Sequence, residues 1–233
     1  MRRIVAFILI ILFVPDGNYA KNISVSVFYE SLCPDSVDFL SNQFYPAYIS
    51  IKEKIQVELV PFGKATANWA NGTWIFSCQH GPKECYGNMV HSCAIDLSPG
   101  DNSTEFVVCA MKSGDASLDG NLQQCAIDHG VNWTEIQNCV KSGKGNELLA
   151  KNGNRTGEVK EKVTFIPMVV FEHTYKEALQ TIALRNFLEI SEFLISESEC
   201  ERCKRRGKSG GSPKHFSSIL VLLISVLPIK VLL

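Results

Sequence analysis

Residues 22–36, NISVSVFYESLCPDS, decide how the rest of the chain is read. From Asn22 to Glu30 apolar and polar residues alternate and β-branched residues are frequent, which is the pattern of a strand. The strand runs directly into Ser31-Leu32-Cys33-Pro34. Proline suits the first turn of a helix, and Val37, Phe39, Leu40, Phe44 and Tyr48 then recur at helical spacing, so a helix is expected from Pro34 with a kink at Pro46. IQVELVP, residues 55–61, reads as a second strand. Together they form a strand, helix, strand unit whose first loop carries a cysteine.

A cysteine at the amino end of a helix sits where unsatisfied N–H groups and the helix dipole favour thiolate over thiol, and the thiolate is the nucleophile of disulfide exchange. Cys33 is therefore a candidate catalytic nucleophile; the other reading is a structural half-cystine. Asp35 supports the first helical turn, yet its charge opposes a thiolate nearby. Ser36 is either a hydrogen-bond donor to the Cys33 sulfur or a helix-capping residue. What Ser36 cannot do is form a disulfide. In a Cys-x-x-Cys pair the second sulfur resolves the mixed disulfide; here release depends on an external small thiol or on another cysteine of the chain.

Downstream, VTFIPMVVFE at 163–172 has a proline inside an apolar, β-rich string, where a proline normally breaks a ladder. A cis Ile166-Pro167 bond opening a strand fits this pattern. Ile166 and Pro167 are accordingly candidate substrate-binding residues, because exposed backbone beside Cys33 could pair with a substrate strand. Residues 186–196, NFLEISEFLIS, close the unit as an amphipathic helix.

Residues 63–161 behave differently. They contain Cys78, Cys85, Cys93, Cys109, Cys125 and Cys139, many glycines, and short amphipathic runs at 83–95, 104–111, 118–127 and 134–142. The segment is expected to be a helical, disulfide-rich insertion, since such short helices do not persist alone. The chain has nine cysteines, an odd number, so at least one sulfur lacks an internal partner. Cys200 and Cys203 complete the set of candidates for bridges; a resolving role toward Cys33 is the alternative for that pair. Cysteine and histidine between Cys78 and Cys93, with His80 and His91, have spacing that could hold zinc, but in a bridge-rich exported chain disulfides are the expectation and no metal is expected.

The ends indicate export. Residues 1–20 place two arginines before an eleven-residue apolar run, Ile4 to Val14, as in a secretory signal peptide. Five sequons, at Asn22, Asn71, Asn102, Asn132 and Asn154, are candidate glycosylation sites. A polar linker, 204–218, precedes a hydrophobic tail, 219–233, which is a candidate membrane tether, either of the glycolipid-anchor type or as a short spanning tail; a disordered or interfacial tail is the other reading. With 23 basic against 24 acidic residues, the charge offers nothing to a polyanion, and nucleic acid is not an expected partner.

The sixteen residues Cys78 to Cys93 match C-Q-H-G-x-x-E-C-x-x-N-x-x-x-x-C at all eight fixed positions. This is the signature of the gamma-interferon-inducible lysosomal thiol reductase (GILT) family, which the chain resembles from about 23 to 203. FYESLCPDS, VELVPFGKA and FIPMVVFE are similar to that family's active-site strand and loop, second strand and cis-proline strand. The resemblance implies an α/β, thioredoxin-like fold. Residues 21–62 and 162–203 would be its two parts, with the insertion at 63–161. It also implies reduction of disulfide-containing protein substrates in a secreted, lysosomal or membrane-anchored setting, with links to immune defence, no cofactor and an external small thiol as reductant. Cys33 matches the family's nucleophile, whereas Ser36 stands at the resolving position, as in insect-like members. The rival readings are a non-catalytic binding protein on the same scaffold and a saposin-like lipid binder.

Overall fold

A computed structural model describes residues 23–159 and 163–206, with side chains to 201. The alternating stretch before Cys33 forms β1, Ile23–Tyr29, which is the central strand of a three-stranded sheet in the order β2-β1-β5. Strand β2, Ile55–Pro61, runs parallel to it with Ile23 opposite Ile55 and Tyr29 opposite Pro61. Strand β5, Met168–Phe171, is antiparallel, with Val25 opposite Phe171 and Phe28 opposite Met168.

The alternation in β1 separates two packed faces rather than core from solvent. Val25, Val27 and Tyr29 join the main core, whereas Phe28 lies on the opposite face with Val60, Met168 and Val170. Ser26 is 1% exposed, and its hydroxyl donates to Glu58 Oε2 at 2.6 Å, itself held by Arg155. A buried hydroxyl is tolerated here because it has a partner.

After the Cys33 loop come α1, Pro34–Asp38, a π-helical turn at Phe39–Phe44, and α2, Tyr45–Ile51. The expected disturbance at Pro46 takes this form: proline has no N–H to give to the preceding turn, and the helix widens just before it, with Tyr45 N–H reaching Leu40 O. The widened turn seats Phe39 and Phe44 against Phe187, with ring centroids 5.7 and 5.5 Å away.

Residues 63–161 open with a hairpin that the helical expectation did not include, β3 (Thr66–Ala70) and β4 (Thr73–Ser77). Its turn is Asn71-Gly72, both at positive φ, the geometry such a pair favours. Helices α3 (Pro82–Leu97), α4 (Asp101–Lys112), α5 (Asp119–Asp128) and α6 (Trp133–Lys141) fall on the four amphipathic runs. A fifth, α7 (Lys144–Gly157), was not anticipated. Val90, Phe106 and Leu122 of this segment share one core with Val25 and Phe187, so the helices complete the domain's core instead of forming their own.

Three disulfides tie the segment: Cys78–Cys85, Cys93–Cys139 and Cys109–Cys125. Cys200 departs from the expected framework. The closing helix, α9 (Phe187–Arg206), continues well past Ser196 and carries Cys200 along it as a free, half-buried thiol. The side chain of Cys203 lies outside the described residues. A short α8, Glu177–Ala183, precedes α9. The first residues of the expected linker at 204 are still helical. The signal segment, Asn22 and the hydrophobic tail lie outside the described residues; among those described, no helix is long and apolar enough to cross a membrane. Asn71, Asn102, Asn132 and Asn154 are all exposed.

One buried titratable group joins the insertion to the sheet. His91 of α3 is fully buried, with Nδ1 3.1 Å from Tyr29 Oη of β1 and Nε2 lacking a hydrogen-bond partner. Burial lowers its pKa from 6.5 to about 3, so the folded chain keeps His91 neutral while the unfolded chain protonates it. Because the unfolded state binds the extra proton, this group's contribution to stability declines as pH falls from 6.5 toward about 3. His91→Asn is expected to lower stability at neutral pH through lost packing but to flatten that acid decline. Denaturant melts of both proteins across the same pH range check it; parallel pH curves would contradict it.

Candidate active site

Cys33 occupies the N-cap position of α1, with φ −70° and ψ 121°. Its N–H donates to Glu30 O at 3.3 Å and its carbonyl accepts Val37 N–H at 2.9 Å, so the loop is a tight turn fixed at both ends. The side chain is 8% exposed and packs with Phe28, Val60, Ile166, Met168 and Val170. Sγ lies 3.8 Å from Ile166 O, and the Ile166-Pro167 bond is cis. Two segments 133 residues apart, each conspicuous in the sequence, thus meet at the sulfur.

The cis-proline segment is itself held in place. Gln180 of α8, 7% exposed, accepts Val169 N–H through Oε1 at 2.6 Å and donates from Nε2 to Pro167 O at 2.8 Å. Its amide thereby supplies hydrogen bonds that a neighbouring strand would otherwise provide. A groove of about 340 Å³ opens beside it, lined by Thr164, Phe165, Met168, Tyr175, Gln180 and Leu184 among others. Phe165, next to Ile166, is 47% exposed. A larger cavity of about 800 Å³, around Glu58 and Arg155, shares Tyr175 with this groove.

Asp35 is exposed in the first turn of α1. Ser36 is fully buried, and neither of its two expected roles describes it. Its hydroxyl accepts Glu30 N–H at 3.3 Å, so it braces the back of the loop.

Glu30 and Ser31 lie in the FYESLCPDS stretch but were not singled out in the sequence, and the structure supplies their contacts. Asn88 Oδ1 accepts Ser31 N–H at 2.8 Å, and Ser31 Oγ donates to Glu84 O at 3.2 Å. Gly87 leaves room for this contact, since a methyl group there would lie 2.5 Å from Ser31 Oγ. Glu30 and Glu84 are both wholly buried. Glu30 Oε1 accepts Lys64 N–H at 2.6 Å; Glu84 accepts His80 N–H at 3.1 Å through Oε1 and faces His80 Nδ1 at 2.5 Å through Oε2. Burial raises the Glu30 pKa above the usual carboxylate range, and the Glu84 charge adds to the effect. The Cys78–Cys85 bridge fastens the His80 loop onto the first turn of α3. Cys78, Cys85 and Cys93 are all disulfide-bonded, so these sulfurs are not thiolate ligands for zinc.

Residues 24–150 match the sequence profile described as gamma interferon inducible lysosomal thiol reductase (GILT). The chain belongs to the GILT family. Relatives include GILT-like protein 1 of Drosophila melanogaster, 32% identical over 89% of this chain and 88% of that one. The gamma-interferon-inducible lysosomal thiol reductase-like protein of Anopheles gambiae is 34% identical over 72% and 74% of the two chains. The fold is thioredoxin-like: the crystal structure of Chlamydia trachomatis DsbA superposes with a TM-score of 0.54 at 17% identity, covering 80% of this chain and 91% of that one.

In this GILT-family chain, the residues of the family signature brace the cysteine loop. Gly63, in the VELVPFGKA stretch, belongs to the same brace. It has φ +60°, and a methyl group there would lie 2.3 Å from Glu30 Cγ. Gly63→Ala is expected to cost about 1–3 kcal/mol from backbone strain. Displacing Glu30 should also disturb the loop that presents Cys33. Denaturant unfolding, together with the rate of Cys33 alkylation, measures both; a variant unchanged in stability and alkylation would contradict the packing described.

Proposed function

We propose that the chain is a thiol–disulfide oxidoreductase of the secretory or endolysosomal pathway that works through one nucleophilic sulfur, Cys33. The observation that carries this reading is the placement of Cys33 Sγ at the N-terminus of α1, 3.8 Å from Ile166 O beside the cis Pro167. GILT-family membership and the thioredoxin-like scaffold support it. Three disulfides fit a chain that matures in an oxidising compartment.

The Cys33 thiolate attacks one sulfur of a protein disulfide. The substrate S–S bond breaks, a mixed disulfide forms, and the departing substrate sulfur takes a proton. The backbone at Ile166 and Pro167 seats the substrate as an extended strand, and the neighbouring groove receives one of its apolar side chains. Ser36 cannot open the mixed disulfide, because its hydroxyl is committed to Glu30 N–H and oxygen does not replace sulfur in the exchange. An external small thiol attacks Cys33 Sγ and frees the second substrate thiol. A second small thiol then regenerates Cys33 and leaves as the small-molecule disulfide. Two thiols are oxidised for each substrate disulfide reduced.

The rival reading, a binding protein without turnover, draws on that same committed Ser36 and on the small exposure of Cys33. The two differ in one experiment. With excess small thiol, Cys33→Ser is expected to lose essentially all reduction of a denatured disulfide-bonded protein, while Ser36→Cys lowers the dependence on thiol concentration. Undiminished reduction by Cys33→Ser would sink the mechanism, and no reduction by the unaltered chain above the small-thiol background would leave the binding reading.

A further inference from the structure

Glu30, His80 and Glu84 place one ligand atom each within 4.8 Å of one another, at the point where the loop before Cys33 meets the N-terminus of α3. We propose that these three side chains bind one divalent metal ion of the zinc or manganese class, which fastens the Cys33 loop to the signature segment.

Four observations lead to this site. First, each carboxylate has one oxygen occupied by a backbone N–H, from Lys64 for Glu30 and from His80 for Glu84. The other oxygen of each faces the imidazole, with His80 Nδ1 3.7 Å from Glu30 Oε2 and 2.5 Å from Glu84 Oε2. Outer hydrogen bonds that orient ligand carboxylates are the usual support of a metal centre. Second, Glu30 Oε2 is buried and has no hydrogen-bond partner, and Glu30 as a whole is 0% exposed. Such an atom needs a donor or a cation.

Third, two wholly buried carboxylates face one imidazole, so with both ionised even a protonated His80 leaves negative charge in excess, which the Lys64 charge near Glu30 offsets only in part. Among the described residues, His80 is the ion-pair partner of both carboxylates. A divalent ion balances this set, whereas a second buried anion without a partner is costly. Fourth, the frame is preorganised and has an entrance. Gly81 at φ +87°, Pro82 and the Cys78–Cys85 bridge fix the turn between His80 and Glu84, and the His80 side chain is 38% exposed to solvent. Two carboxylates and one imidazole form an oxygen and nitrogen donor set suited to zinc or manganese, with water completing the coordination.

This proposal does not depend on turnover at Cys33. The test uses the full mature chain with free thiols alkylated, so that no sulfur competes for the ion. Mn²⁺ is titrated with free ion read by EPR, and Zn²⁺ is titrated against a chromophoric chelator. One saturable equivalent per chain is expected, with a rise in melting temperature. Glu30→Gln and Glu84→Gln, each checked for folding by circular dichroism, should weaken binding at least about tenfold. Pulsed EPR of Mn²⁺ bound to the unaltered chain should show an imidazole nitrogen coupling that His80→Gln removes. That coupling decides the matter if the glutamate variants misfold. No saturable binding by the unaltered chain, binding without the nitrogen coupling, or equal binding by folded variants would overturn it; two glutamates sharing a proton is then the description of the cluster.

Discussion

The hydrogen bond from Ser31 N–H to Asn88 Oδ1, 2.8 Å long and fully buried, is the point on which the site depends. Between the end of β1 and the start of α1 the backbone leaves both ladder and helix, so its N–H groups need other partners. An orphaned buried N–H costs about 1–3 kcal/mol, which is a large share of a domain's stability. Asn88 removes that penalty from 57 residues away, and the Glu84 carbonyl does the same for the Ser31 hydroxyl. Helix α3 is therefore part of the cysteine loop in an energetic sense. Its disulfides, Cys78–Cys85 at one end and Cys93–Cys139 further along, hold the brace as well as the insertion.

This dependence explains what the sequence could and could not reveal. Strands β1 and β2 were legible because their patterns are local. The cis-proline segment was legible because a proline within an apolar, β-rich run has to sit where no ladder hydrogen bond is lost. The Asn71-Gly72 hairpin carried an equally local turn signal, which the cysteine- and glycine-rich setting obscured. Helix α7 was not legible, and its glycines show why. A methyl group at Gly145 would lie 2.7 Å from Met89 Cγ, and one at Gly153 2.7 Å from Phe62 Cζ. These glycines weaken intrinsic helicity but allow close packing, so tertiary contact, not propensity, makes the helix.

The site divides along the same line. That Cys33 opens a helix and that Ile166-Pro167 is cis could be anticipated, because both rest on residue type and local context. Glu30 and the true position of Ser36 could not, since each is defined by contacts that only the folded chain creates. Ser36 illustrates the limit well. Spacing placed it where a resolving sulfur would be and suggested a donor to Cys33 or a cap; the folded loop uses its hydroxyl as an acceptor for Glu30 N–H. A serine in that position keeps the loop's shape without a second sulfur, so under the proposed function geometry for attack and capacity for release come apart.

That separation can be observed in one measurement. Reduced, purified protein is mixed with a disulfide-bonded peptide in the absence of small thiol, quenched with acid, and weighed by intact mass spectrometry with site mapping. One covalent peptide adduct per chain is predicted, located at Cys33, that persists until small thiol is added and then discharges. No adduct at Cys33, or an adduct that discharges without added thiol, would contradict a site that attacks through one sulfur and relies on an outside thiol for release.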